Sequence, residues 1–232
     1  KLKIMKRVSN FFYIRLFFLF KFLFSGTSSL SSLKKLLGND QFLKELSEWK
    51  EREFKVPTPQ FIKNSIFLEY SNSEFIWIET GTYRGTSTRF LAQNNKFVHT
   101  IEAEKGFYAQ TKLMLTEDGI KNVSFNLGTS ENKLEEVIQN IDNETLCIWL
   151  DAHYSGAGTY KGTQDTPIIN ELKIIQKYIS EFETINILID DIREFDGSNP
   201  EYPKKEYLIE WSNSNNFIWE IKFDMMIIHN GV

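Results

Sequence analysis

Two almost continuously apolar runs, Leu146-Cys147-Ile148-Trp149-Leu150 and Ile185-Asn186-Ile187-Leu188-Ile189, each stop at a carboxylate: Asp151 after the first, Asp190 and Asp191 after the second. Runs of this length without polar alternation predict strands buried on both faces, which is the environment of a parallel sheet covered by helices. Open sheets of that kind bind ligands at the carboxyl ends of their strands. If the two strands are neighbours, Asp151, Asp190 and Asp191 converge on one space, and their oxygens suit a hard cation such as Mg²⁺. A lone strand-end acid serves equally well to cap the next helix or face water. The second, paired set tips the reading toward a site.

From Phe75 onward the chain alternates between strand and helix. Strands are predicted at 75–80, 97–102, 122–126, 145–151, 185–190, 217–222 and 225–229, with helices near 86–95, 106–117, 130–140, 166–181 and 203–213. Five strands joined by helices predict right-handed crossovers and a parallel sheet, whereas the last two runs are too close for a crossover and predict an antiparallel hairpin. The expected fold is α/β: a Rossmann-like, seven-stranded, mostly parallel sheet with helices on both faces and a helical N-terminal extension. The expected division is a basic aromatic-rich segment over 1–30, a helical extension over 31–74 and the α/β domain over 75–232. At 232 residues and 41% hydrophobic content there is one sizeable core to fill.

Charge is distributed unevenly. Residues 1–35 carry eight Lys and Arg and no acid, so all 31 acidic residues lie beyond them, against 19 of the 27 basic ones. An acidic body argues against nucleic acid as a partner, because phosphate binding needs Lys and Arg on the recognition face. The basic head includes Phe11 to Phe24, in which only Arg15 and Lys21 are charged. It is shorter than the ~20 residues of a spanning helix and suits either a helix lying in an anionic membrane interface or one packed on protein. The single cysteine, Cys147, lies inside a strand, so no disulfide framework or zinc-ligand spacing exists. This composition fits a cytoplasmic protein, with room for peripheral membrane contact through residues 1–24 and for a homo-oligomer.

The first predicted strand runs into Glu79-Thr80-Gly81-Thr82-Tyr83-Arg84-Gly85-Thr86-Ser87. Two glycines let the backbone approach a ligand, and the hydroxyls of Thr86 and Ser87 are placed to cap the following helix. The second strand ends in Glu102, 21 residues after Gly81, where an acid can accept the hydroxyls of a ribose. The third ends in Gly128-Thr129-Ser130, a turn with a helix cap beside the same crevice. The segment lacks the Lys of a phosphate-binding P-loop and the full dinucleotide fingerprint.

On these residues the chain resembles the class I S-adenosylmethionine-dependent methyltransferases over about residues 75–229. Glu79 to Gly85 is similar to their first motif, with Thr82-Tyr83-Arg84 where many members carry a third glycine. Glu102 is similar to the ribose acid, and Gly128 to Ser130 to the segment beside the adenine. The resemblance implies a cofactor site bordered by Glu79, Gly81, Thr82, Gly85, Thr86, Glu102, Gly128, Ser130 and Asp151. Within that family, Leu150-Asp151-Ala152-His153-Tyr154-Ser155 with Ile189-Asp190-Asp191 resembles the metal-dependent O-methyltransferases of the macrocin and catechol type. That implies Mg²⁺ on Asp151, Asp190 and Asp191, a small-molecule or glycan hydroxyl as acceptor, and Asp151 and His153 as catalytic groups, His153 as base or as a hydrogen-bond partner behind the site. The glycine-containing stretch between His153 and Asp165 is expected to be a substrate loop. Two alternatives stay open: a Rossmann-fold hydroxylase or nicotinamide-dependent oxidoreductase, and an inactive nucleotide-binding scaffold tethered to a membrane.

Overall fold

The computed structural model describes residues 40–142, 145–153 and 165–231. The basic head and the expected substrate loop therefore lie outside the described residues, apart from the loop's two flanks. The chain divides into two units, Lys1–Lys55 and Val56–Val232. In the first, helix α1 (Asp40–Glu51) ends beside Phe54, whose ring meets Trp49 edge-on at 5.2 Å, and the Trp49 indole N–H donates to the Lys55 carbonyl. No helix among the described residues is long and apolar enough to cross a membrane.

The second unit opens with α2 (Gln60–Glu69) and then alternates: β1 (Ile76–Thr80), α3 (Thr86–Asn94), β2 (Phe97–Glu102), α4 (Lys105–Glu117), β3 (Val123–Leu127), α5 (Ser130–Gln139), β4 (Thr145–Leu150), α6 (Ile168–Tyr178), β5 (Thr184–Ile189), α7 (Lys205–Ser214), β6 (Ile218–Lys222) and β7 (Met225–His229). A 3₁₀ turn over Ile192–Asp196 follows β5. The strands form one seven-stranded sheet in the order β3-β2-β1-β4-β5-β7-β6. β1 to β5 pair parallel, and β7 runs antiparallel to both β5 and β6; with β6 it forms a tight hairpin, because only Phe223 and Asp224 connect them. Since β1 leads outward to β2 and β3 before the chain returns to β4, the order reverses between β1 and β4.

Alternation along the central strands assigns the two faces. Ile148 and Leu150 of β4 and Ile185, Ile187 and Ile189 of β5 join Leu134, Leu172 and Ile175 of α5 and α6 in one core cluster. Cys147 and Trp149 point the other way. There Phe67 of α2 packs edge-on to Trp149 at 4.8 Å and to Trp77 at 5.7 Å, all three being buried. The Cys147 thiol donates to the Tyr70 carbonyl and accepts from the Asn186 amide, and burial pushes it up to about 12. Helix α2 thus belongs to the same unit as the sheet, whereas its sequence reads as part of the preceding extension. The missing cue is that its apolar face, Ile62, Ile66 and Phe67, is short and bounded by prolines only on one side.

Candidate active site

The strand register brings the expected residues into one row. Thr80 lies opposite Ile101 on one side and Leu150 on the other, and Leu150 lies opposite Ile189. The next residues, Glu102, Gly81, Asp151 and Asp190, are therefore neighbours across β2, β1, β4 and β5. Each link continues the ladder: Gly81 N–H donates to Ile101, Asp151 N–H to Thr80 and Asp190 N–H to Leu150. Gly81 has φ +86°, and a Cβ there would lie 2.6 Å from the Asp151 carbonyl oxygen. Both the conformation and the close approach require glycine.

Beyond Gly81 the turn is held from several sides. Tyr83, at φ +46°, donates its N–H to Glu102 Oε2 at 2.7 Å, and its carbonyl accepts from the Thr111 hydroxyl. Gly85, at φ +71°, occupies the N-cap of α3, where a Cβ would collide with the Thr111 methyl. This corrects the capping expected of Thr86 and Ser87: the glycine takes the cap position, so Thr86 begins the helix exposed, and the Ser87 hydroxyl accepts from Gln60. Thr129 likewise caps α5 by backbone alone. Its neighbour Gly128, at φ +147°, donates its N–H to the Glu102 carbonyl.

The acids of this half differ sharply. Glu79 is 1% exposed and accepts from the Thr88 and Thr100 hydroxyls, while the Thr82 and Thr100 hydroxyls share a further hydrogen bond. Burial pushes Glu79 up to about 7 despite those donors. Its side chain, with that of Thr82, braces the turn from below. Glu102 accepts from Tyr83 N–H through one oxygen and from Glu104 N–H through the other. Each carboxylate oxygen keeps acceptor capacity beyond these bonds.

On the other side of Gly81 the carboxylates meet basic groups. His153 bridges two of them, Nδ1 lying 3.3 Å from Asp151 Oδ1 and Nε2 2.9 Å from Asp191 Oδ2. Burial opposes the imidazolium, but the hydrogen bond to Asp191 and the charges of Asp151, Asp191 and Asp190 outweigh it and raise His153 to about 9. Asp191, at φ +52°, also accepts from Arg193 at 2.6 Å. Burial works against its charge, yet His153 and Arg193 hold it well below the usual carboxylate range. Arg193 also pairs with the buried Asp224. Asp190 is in direct contact with the Lys63 ammonium; burial first, then the charge of Asp151, pushes its carboxyl upward, and the charge of Lys63 pulls it back.

The divalent cation expected on Asp151, Asp190 and Asp191 does not fit this arrangement. Lys63, His153 and Arg193 already occupy oxygens of these groups, and among the described residues no set of three or more His, Cys, Asp or Glu is placed to hold a metal ion. The sequence reading missed both Lys63, which is brought to Asp190 across 127 residues, and Glu171. The latter had a signal: it sits in the stripe Ile168, Leu172, Ile175 of α6, where an acid interrupts an apolar face. It is 1% exposed, and burial pushes it up to about 7 against the hydroxyls of Ser130 and Thr80. Among the described residues its Oε1 has no hydrogen-bond partner. With Asp151, His153, Asp190 and Tyr202 it lines a small cavity beside the strand ends.

No family model matches the chain, and no curated protein matches it by sequence. Solved structures match in fold. A Staphylococcus aureus protein assigned as a caffeoyl-CoA O-methyltransferase aligns over 87% of this chain and 97% of its own, with 15% identity and a TM-score of 0.53. A Clostridium thermocellum protein assigned as an rRNA methylase aligns over 75% and 97%, with 15% identity and a TM-score of 0.51. A Streptococcus mutans protein assigned as a methyltransferase, solved in complex with SAH, aligns over 75% and 98%, with 13% identity and a TM-score of 0.50. The fold is the Rossmann-like one of the class I methyltransferases.

Proposed function

We propose that the unit beginning at Val56 is an S-adenosylmethionine-dependent methyltransferase acting on a hydroxyl of a small molecule or glycan. The observation that carries this reading is the contact of Gly81 with the Asp151 backbone. It joins the glycine turn to the acid cluster at the point where strand order reverses, so a ligand cradled by the turn presents its far end to Asp151. The SAH bound in the Streptococcus mutans relative supports the choice of cofactor. When bound, the cofactor supplies an electrophilic methyl on a sulfonium sulfur.

Glu102 accepts the ribose hydroxyls, and the turn from Gly81 to Gly85 carries the backbone against the cofactor, with Gly128 and Ser130 beside its base. Of the three cluster acids, Asp151 has the most open side chain, 24% exposed against 1% for Asp190 and 10% for Asp191. We therefore assign to it the acceptor's hydroxyl proton. Burial raises its affinity for that proton, and the His153 imidazolium holds it in place. By taking the hydroxyl proton, Asp151 leaves the oxygen an electron pair for the methyl that the cofactor would supply, with its sulfur as the leaving group. This assigns His153 to orientation rather than to the base role, since both ring nitrogens face carboxylates.

Calorimetry with SAH and S-adenosylmethionine tests the reading. Micromolar binding is expected, weakened by about 1.5–3 kcal/mol in Glu102→Ala, because hydrogen bonds to a charged group carry that much. Binding of a nicotinamide dinucleotide with no heat from either of these ligands would overturn it.

A further inference from the structure

We infer that the acid cluster at the ends of β4 and β5 is neutralised from within the chain, by Lys63 of α2, and takes no divalent cation. The inference rests on the methyltransferase reading only for what the cluster serves. The Lys63 ammonium contacts Asp190 directly, with 16% of its side chain exposed and 1% of the acid's. It also lies over the Trp149 ring, 5.6 Å from the centroid, a position in which the aromatic face favours a cation. Burial works against the ammonium, but the charges of Asp190, Asp151 and Asp191 outweigh it and hold the proton on Lys63.

Its placement is fixed by the fold. Lys63 and Phe67 are one turn apart on α2, and Phe67 is wedged edge-on against Trp149 and Trp77. The amine is therefore delivered to the cluster by a packed helix rather than by a flexible surface arm. Across the cluster, Arg193 ties Asp191 to Asp224 and His153 ties Asp151 to Asp191. Lys63, His153 and Arg193 thus face Asp151, Asp190, Asp191 and Asp224 in near balance. A divalent ion entering the cluster has to displace Lys63 from Asp190 or sit beside an ammonium that the packing does not let move away, and like charges at that range repel strongly. Lys63 is on this account a positioning residue: it holds Asp190 and supplies the fixed positive charge near which the acceptor oxygen sheds its proton.

Mn²⁺ titration of the full chain, followed by the electron paramagnetic resonance signal of the free ion, tests this. The wild type and Lys63→Arg are expected to leave Mn²⁺ free up to millimolar concentration. Lys63→Ala should bind it at least tenfold more tightly than the wild type, and adding Asp190→Asn to Lys63→Ala should abolish the gain. Micromolar Mn²⁺ binding by the wild type that Asp190→Asn removes would overturn the inference, and needs no Lys63 variant to fold. A folded Lys63→Ala, checked by circular dichroism, that binds Mn²⁺ no better than the wild type would also overturn it. SAH calorimetry on the same samples reads the cofactor assignment separately, so loss of one conclusion is distinguishable from loss of the other.

Discussion

Gly81 and Asp151 meet backbone to backbone, with the space of a Gly81 Cβ lying 2.6 Å from the Asp151 carbonyl oxygen. A side chain at 81 would have to pry β1 from β4 at the end where the site lies, and would do so from a left-handed backbone. Gly81→Ala is expected to destabilise the fold by about 1–3 kcal/mol, the usual cost of such strain, and to lower SAH affinity at least tenfold. Urea unfolding and calorimetry read the two effects. Unchanged values in both would mean that the two strand ends separate freely.

Glu171 gives a pH signature. Its folded value of about 7 lies above the ordinary 4.5, so the folded state binds its proton more tightly than the unfolded state does. The associated stability is present in full below about pH 4.5 and is lost as pH rises through 7. Glu171→Gln, which cannot ionise, should therefore gain on the wild type across that window, by up to about 3 kcal/mol at pH 8 relative to pH 4.5. Unfolding curves at the two pH values check it; a pH-independent difference would mean that the carboxyl does not titrate where burial places it.

His153 should behave oppositely in origin and alike in sign. Its value is raised from 6.5 to about 9 by Asp191 and Asp151, so its contribution to stability is full below about pH 6.5 and disappears as pH passes 9. Titration of the ring followed by nitrogen-15 NMR should give a midpoint near 9, moving down toward 6.5 in Asp191→Asn. A midpoint that ignores Asp191→Asn would dissolve the bridge.

Much of the sheet was legible from the sequence because both-sided burial leaves an unmistakable apolar run: Leu146–Leu150, Ile185–Ile189 and the closing Met225–His229 appear as strands where expected. Gly81, Glu102, Asp151 and Asp190 fell into one row for the same reason, since each follows directly on one of Thr80, Ile101, Leu150 and Ile189, buried residues that face one another across the strands. What the sequence hid depended on geometry between distant segments. Nothing near Lys63 marks it as a partner of Asp190, and the pairing exists only because Phe67 docks α2 on Trp149. The roles of Thr86 and Ser87 were misread because residue-type preference points to a hydroxyl at the cap, whereas the positive φ at Gly85 decides it.

The seclusion of Cys147 gives the protein a practical property. As the chain's one cysteine, fully buried with a thiol raised to about 12, it offers thiol-directed reagents almost no thiolate. The native fold is thus a silent background for covalent labelling. A cysteine introduced at Tyr83, 45% exposed on the glycine turn, would be the one position to take a fluorophore, and would carry that dye to the edge of the cleft where it can report ligand arrival in real time.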